Sequence, residues 1–126
     1  INNDLSSWVL TNITTLERTL FANTSFNQDI GNMTLGAGLT NMKYFYFQNT
    51  TLSDINWTNT IVGWANQVYN NSAPYNVDAS NIATQTSLQF DNSANGGDNF
   101  ADAGEARDYL TGATAGWTIS GDTRIN

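Results

Sequence analysis

Cysteine and histidine are absent from this 126-residue chain, and proline occurs once, at Pro74. Those absences exclude thiol nucleophiles, disulfides, zinc-finger spacings and the imidazole that usually carries acid–base chemistry near neutral pH. Cations are scarce too. Arg18, Lys43, Arg107 and Arg124 stand against eleven Asp and Glu, for a net charge of −7. Neutralising phosphates requires clustered Lys and Arg, so neither nucleic acid nor an anionic membrane surface is an expected partner. No apolar run approaches the roughly 18 residues of a membrane span. No signal peptide is visible, and the chain opens in mid-repeat, as expected of a piece whose export signal would lie upstream. Hydrophobic residues make up 40% of the chain, enough for a real core at this length. With only 12% charged residues, solubility rests on Asn, Thr, Ser and Gln.

What the chain does have is a stretch that nearly repeats itself. Ile1-Asn-Asn-Asp-Leu5 is echoed by Phe26-Asn-Gln-Asp-Ile30, and Asn23-Thr24-Ser25-Phe26 by Asn49-Thr50-Thr51-Leu52. The offset is 25 residues early in the unit and 26 later, which places one inserted residue within Leu35-Gly36-Ala37-Gly38. A period in this range predicts a solenoid whose coils bury their apolar edges against one another. Each unit reads as a short extended piece (Trp8–Leu10, then Met33–Leu35) leading into a helical turn. The turns carry Ile13, Leu16 and Leu20 in one unit and Leu39, Met42 and Tyr46 in the next. Stacking in this register places Glu17 over Lys43 as an exposed ion pair, Arg18 over Tyr44 as a cation–π contact, and Phe21 over Phe47.

Beyond residue 52 the pattern changes. Trp57, Ile61, Trp64, Ala65 and Val68 recur at helical spacing with Asn56 as the expected N-cap, giving an amphipathic helix that closes the open end. Residues 70–79 read as a loop, Ser87–Phe90 as a strand and residues 91–99 as a polar loop. Asp102-x-x-Glu105 has the form of a capping box opening a second helix, with Ala103, Ala106 and Leu110 on one face and Gly112 as its stop. Trp117–Ile119 reads as a last strand.

Phe26-Asn-Gln-Asp-Ile30, the following Thr-Asn-Met42 and an aromatic four residues on resemble the BspA-like leucine-rich-repeat surface proteins. Residues 57–119 are similar to the segment that closes many such arrays, in Ile61-Val-Gly-Trp64, Ala-Gly-Glu-Ala-Arg107-x-x-Leu110 and Gly-Trp117-Thr-Ile119. Two departures fall on loops: Met33-Thr-Leu-Gly36 stands where that family has Trp-Asp-Val-Ser, and the Gly/Asn-rich loop before Asp102 is longer. With the resemblance, the expected fold is an α/β, leucine-rich-repeat-like solenoid fragment of two to three short coils, closed by a helix-strand-helix-strand cap. It forms one domain over residues 1–126, with repeats in 1–56 and the C-terminal cap in 57–126. The resemblance implies a secreted or surface-displayed protein used in adhesion, in some cases the receptor-binding end of a phage or bacterial fibre, and it brings no catalytic residues.

Four candidate features follow from the residues. Asp91, Ser93, Asn95, Gly97, Asn99 and Asp102 include oxygen ligands at the spacing of an EF-hand-type calcium loop, with Gly96 at the sixth position. Against that reading, a strand rather than a helix enters the loop and Asp102 also serves as an N-cap; any calcium there would be structural. Tyr44-Phe45-Tyr46-Phe47 holds more aromatics than one buried face absorbs, so Tyr44 and Phe47, with Phe21 and Lys43, form a candidate surface for stacking a sugar or meeting a protein. The four tryptophans are expected in the core and cap. Asp4, Asp29 and Asp54 recur with the repeat; paired carboxylates suit glycoside hydrolysis, yet a repeated Asp more often bonds corner backbone groups, and no enzymatic activity is expected. Six Asn-x-Ser/Thr sequons, at Asn12, Asn23, Asn32, Asn49, Asn56 and Asn70, are what chance yields in so Asn- and Thr-rich a chain.

The expected function is an extracellular binding or adhesion module for a glycan or protein on another surface, with a structural capping or oligomerisation role as the alternative. A homotrimeric fibre tip is compatible with the composition.

Overall fold

The computed structural model of the chain describes residues 2–18, 25–46, 51–83, 85 and 87–126. Eight elements follow in order: β1 (Val9–Leu10), β2 (Thr34–Leu35), α1 (Asp54–Asn71), β3 (Asp78–Ala79), β4 (Gln89–Asp91), α2 (Ala103–Thr111), β5 (Thr118–Ile119) and β6 (Thr123–Ile125). The strands form three two-stranded parallel sheets, β1–β2, β3–β5 and β4–β6. Among the described residues this is a small mixed domain of two helices and short strand pairs. The expected solenoid is not formed.

The reason lies in how few units match. A solenoid coil cannot bury its apolar edge alone, and about three repeats are needed before stacking sustains itself. Two units supply a single repeat-to-repeat interface. That interface is present: Val9 pairs with Thr34 and Leu10 with Leu35, and Thr15 bridges to Asn41. The two units share their turns as well. Trp8 N–H bonds Leu5 C=O as Met33 N–H bonds Ile30 C=O, and Ile13 N–H bonds Leu10 C=O as Leu39 N–H bonds Gly36 C=O. The change of register therefore falls between Leu35 and Gly36, and Gly36 lies so close to the first unit that a Cβ there would strike the carbonyl of Thr11. Beyond these units the pairing continues at other spacings, Asn41 to Asp78 and Asp78 to Thr118, because whole helices intervene.

The helical turns expected at residues 13–20 and 39–46 are not helical where they are described. Their backbone donors are directed sideways: Leu16 N–H bonds Asn41 C=O, Met42 N–H bonds Asp78 C=O and Tyr46 N–H bonds Ile82 C=O. Pairing with neighbouring segments displaces the i→i−4 ladder. Leu20, Phe21 and Phe47 lie outside the described residues. Residues 78–79, expected as loop, form β3, and β6 arises where no strand was expected.

α1 forms as its spacing predicts, with Trp57, Ile61, Trp64, Ala65 and Val68 all fully buried. Its N-cap is Ser53 rather than Asn56: the Ser53 hydroxyl accepts from Asn56 N–H at 3.3 Å. The Asn56 amide instead donates to Asn27 C=O at 3.0 Å. α2 opens with the expected capping box, Asp102 Oδ1 accepting from Glu105 N–H at 2.8 Å and Glu105 Oε2 from Ala101 N–H at 2.7 Å. It stops at Gly112.

One buried cluster runs from Leu5 through Phe26, Tyr46 and α1 to Trp117. Phe45 and Tyr46 point into it, Tyr46 against Phe26 and Trp57, and Phe45 against Trp64. Trp8 is the exception among the tryptophans, 47% exposed, because β1 is an outer strand with no neighbour on its far side among the described residues.

Candidate functional site

The site is built from α1 outward. Polar side chains on this helix, Thr58 and Thr60 among them buried, supply partners to backbone that no strand reaches among the described residues. Thr60 Oγ1 accepts from Ile30 N–H at 3.1 Å, and Trp64 Nε1–H donates to Ile30 C=O at 3.2 Å. Gln67 donates to the carbonyls of Gly31 and Met33 at 2.7 and 2.8 Å and accepts from Leu35 N–H at 3.0 Å. On the other flank, Asp54 and Thr58 accept from the N–H groups of Gln89 and Asp91. Gly63 lets the helix touch the second unit directly, since a Cβ there would run into Gly31 Cα. The helix thus replaces missing strands on the edges of β2 and β4, and unpaired buried backbone is avoided.

This docking leaves one stripe of α1 facing outward between two loops. Asn59, Val62, Gly63, Asn66, Gln67 and Asn70 form the floor of an open groove of about 400 Å³; Asp29 and Asn32 wall one side, and Asn95, Gly97 and Asp98 the other. Asn66 fastens the second wall, donating to Gly96 C=O at 2.9 Å and accepting from Asn99 N–H and Nδ2 at 3.1 and 2.8 Å. Asn66 and Gln67 are therefore fully engaged. In contrast, the side chains of Asn32, Asn59 and Asp98 make no hydrogen bond to the described residues. Lys and Arg are absent from the lining.

At the C-terminal end of α1 lies an aromatic trio. Tyr69, Phe100 and Tyr109 stand with ring centroids 5.3 to 5.5 Å apart, and Tyr69 is 51% exposed. Asn99, next to Phe100, donates to Asn70 Oδ1 at 3.1 Å, which joins the trio to the groove. Partial burial, together with the Tyr75 and Tyr69 phenols nearby, pushes the Tyr109 phenol up.

The sequence model of the family described as Mycoplasma protein of unknown function, DUF285, matches residues 1–106. The chain belongs to the DUF285 family. No curated protein and no solved structure is detectably similar to it. The floor and both walls of the groove lie within the DUF285 match, as does Phe100 of the trio; β5, β6 and most of α2 fall at or beyond its end.

The sequence-derived candidates divide between the groove and other places. Of the calcium-spaced set, Asn95 and Gly97 line the groove, and several of the oxygens take hydrogen bonds from the protein itself. Asp91 Oδ1 accepts from Ser93 N–H, the Ser93 hydroxyl and Asn126, and these bonds, led by the Ser93 hydroxyl, hold its carboxyl below the usual value. Asn95 Oδ1 accepts from Gly97 N–H at 2.7 Å, Asn99 turns to α1, and Asp102 caps α2. Among the described residues no group of three or more carboxylates gathers to hold an ion.

The aromatic candidates lie elsewhere. Tyr44 is half-buried beneath the Arg18 guanidinium, 4.4 Å from its ring centroid, as the repeat register predicts. Lys43 does not pair with Glu17; its ammonium lies 3.4 Å from Asp78 Oδ2, because the next segment brings Asp78 alongside Asn41. Glu17 instead accepts from Asn41 Nδ2. Neither Lys43 nor Tyr44 lines the groove. Asp4 and Asp29 accept from the N–H groups of Ser6 and Gly31 two residues on, the corner role expected of a repeated Asp. Sequence reasoning missed the outer stripe of α1. The signal was present: Asn59, Val62, Gly63, Asn66, Gln67 and Asn70 recur at helical spacing, and a glycine inside a helix marks a close approach.

Proposed function

We propose that this chain is a binding module of a BspA-like surface protein, extracellular and displayed on a cell or a virion tail fibre, that recognises a glycan or protein on another surface. The residues of 26–46 and 57–119 that resemble those proteins support the reading, and membership of the DUF285 family is consistent with it. One observation carries it: an open groove floored by a helix, in which Asn59 of the helix and Asn32 and Asp98 of the walls make no side-chain hydrogen bond to the described residues. Loops held on a packed frame are where proteins commonly place recognition. Glycan-array and cell-surface pull-down assays with the isolated chain test it; saturable binding is expected, and sedimentation reports whether the binder is monomer or trimer.

A second reading has its own observation. Thr60 and Gln67 serve the backbone of residues 30–35, and Asp54 and Thr58 that of β4, as a purely structural closing element would. Such an element binds nothing in either assay.

A further inference from the structure

We propose that the groove along α1, continued by the Tyr69–Phe100–Tyr109 trio, is the site of an uncharged oligosaccharide. This rests on the reading of the chain as a binding module and names the ligand class.

The chemistry of the lining argues against other classes. With Asp29 and Asp98 on opposite walls and no cation in the lining, a phosphate, sialic acid or uronate meets repulsion without compensation. A peptide is held by an apolar anchor in a pocket or by a free strand edge. Here Val62 is the only large apolar residue of the lining among the described residues, and the floor is a helix. Sugar hydroxyls both donate and accept, so they match a mixture of carboxylate acceptors and amide donor–acceptors. Asn32, Asn59 and Asp98 offer that mixture, and Asp29 Oδ2 adds an acceptor, since only Oδ1 takes the Gly31 N–H.

The inner tier is fixed in advance. Asn66 and Gln67 tie both walls to the helix, so a ligand would not have to order them, and preorganisation lowers the cost of binding. The trio then supplies what amides lack. Half-exposed Tyr69 follows Val62 and Asn66 on one side of α1, and its ring is braced by Phe100 and Tyr109. A braced, amphipathic ring offers an apolar surface at low conformational cost, suited to the C–H face of a pyranose. A volume of about 400 Å³ lies within the usual range for small-ligand sites.

The test uses the whole chain and named probes. Cellopentaose, chitopentaose and mannopentaose form the neutral arm, and sialyllactose and tri-galacturonate the acidic arm, read by calorimetry and by amide chemical-shift changes. At least one neutral oligosaccharide is expected to bind and to shift Asn59, Asn66, Tyr69 and Asn70, while the acidic probes do not bind. Asn59→Ala and Tyr69→Ala should each weaken binding about tenfold, the effect of about 1.4 kcal/mol. Both positions are outside the core, and an unchanged melting temperature shows that the variants fold. Tyr44→Ala should leave affinity unchanged. No binding by any neutral probe, stronger binding of an acidic one, or indifference to both groove variants overturns the proposal. A protein ligand lost on Asn59→Ala, with no sugar bound, overturns the sugar while leaving the binding module standing.

Discussion

At the scale of single residues, geometry separates interactions that look alike in sequence. Asp108 and Asp122 each meet an arginine near the C-terminus. The Asp122 carboxylate is 2% exposed; Oδ1 accepts from Arg107 at 2.7 Å and Oδ2 from the Trp57 indole at 2.9 Å. Arg107 also lies over the Phe90 ring, and its Nε is buried without a hydrogen-bond partner among the described residues. Removing one member of a buried pair strands the other charge. Asp122→Ala should therefore cost about 3–5 kcal/mol in urea unfolding. Asp108, 65% exposed against Arg124, is screened by water, and Asp108→Ala should cost under about 1 kcal/mol. Equal losses at the two positions would contradict this assignment. Neither ion pair was legible in the sequence, because the partners stand 15 and 16 positions apart and nothing local marks their approach.

At the scale of elements, helices were legible and the repeat connections were not. α1 carries its own information in a buried stripe, and α2 in a buried stripe and a capping box, so their type follows from spacing, although α1 begins three residues earlier than expected, capped by Ser53. The turns after β1 and β2 have helical spacing too, but their N–H groups are drawn to Asn41, Asp78 and Ile82, segments whose proximity no local pattern encodes. Placing α1 in turn depends on Gly63 meeting Gly31 backbone to backbone. A methyl group there overfills the contact, and Gly63→Ala should destabilise the fold by about 1–3 kcal/mol. The same substitution on an exposed helix surface would stabilise by up to about 1 kcal/mol. The sign of the change in denaturation midpoint decides whether that contact exists in solution.

At the scale of the whole molecule, the lack of histidine leaves no side chain whose ordinary titration falls near neutrality. Two edges should bound the stability profile. Asp78, beside the Ser80 hydroxyl and N–H and then the Lys43 ammonium, and Asp91, beside Ser93, are held below the ordinary 3.8. A depressed folded value favours the charged form in the fold. The stabilisation is present above 3.8 and is lost as pH falls through the folded values. Burial pushes the Tyr46 phenol well above its ordinary 10.0, so its stabilisation is full below 10 and is lost as pH rises past it. Melting temperatures should form a plateau from about pH 5 to about pH 9, falling on both sides. Phenolate absorbance from Tyr46 should appear only with unfolding. A transition inside the plateau would contradict the assignment.

The amino-acid order by itself determined the two helices, the capping box and glycine stop of α2, the register of the paired units with its extra residue near Gly36, and the absence of thiol and imidazole chemistry. These follow from short-range spacing and composition, which act wherever the rest of the chain lies. Tertiary structure alone decided that two units stop short of a solenoid, that Trp8 stays in solvent, and that the outward stripe of α1 becomes a walled groove. Each depends on which distant group reaches an edge first, and at the edges of β2 and β4 it is Gln67, Asp54 and Thr58 of one helix that arrive.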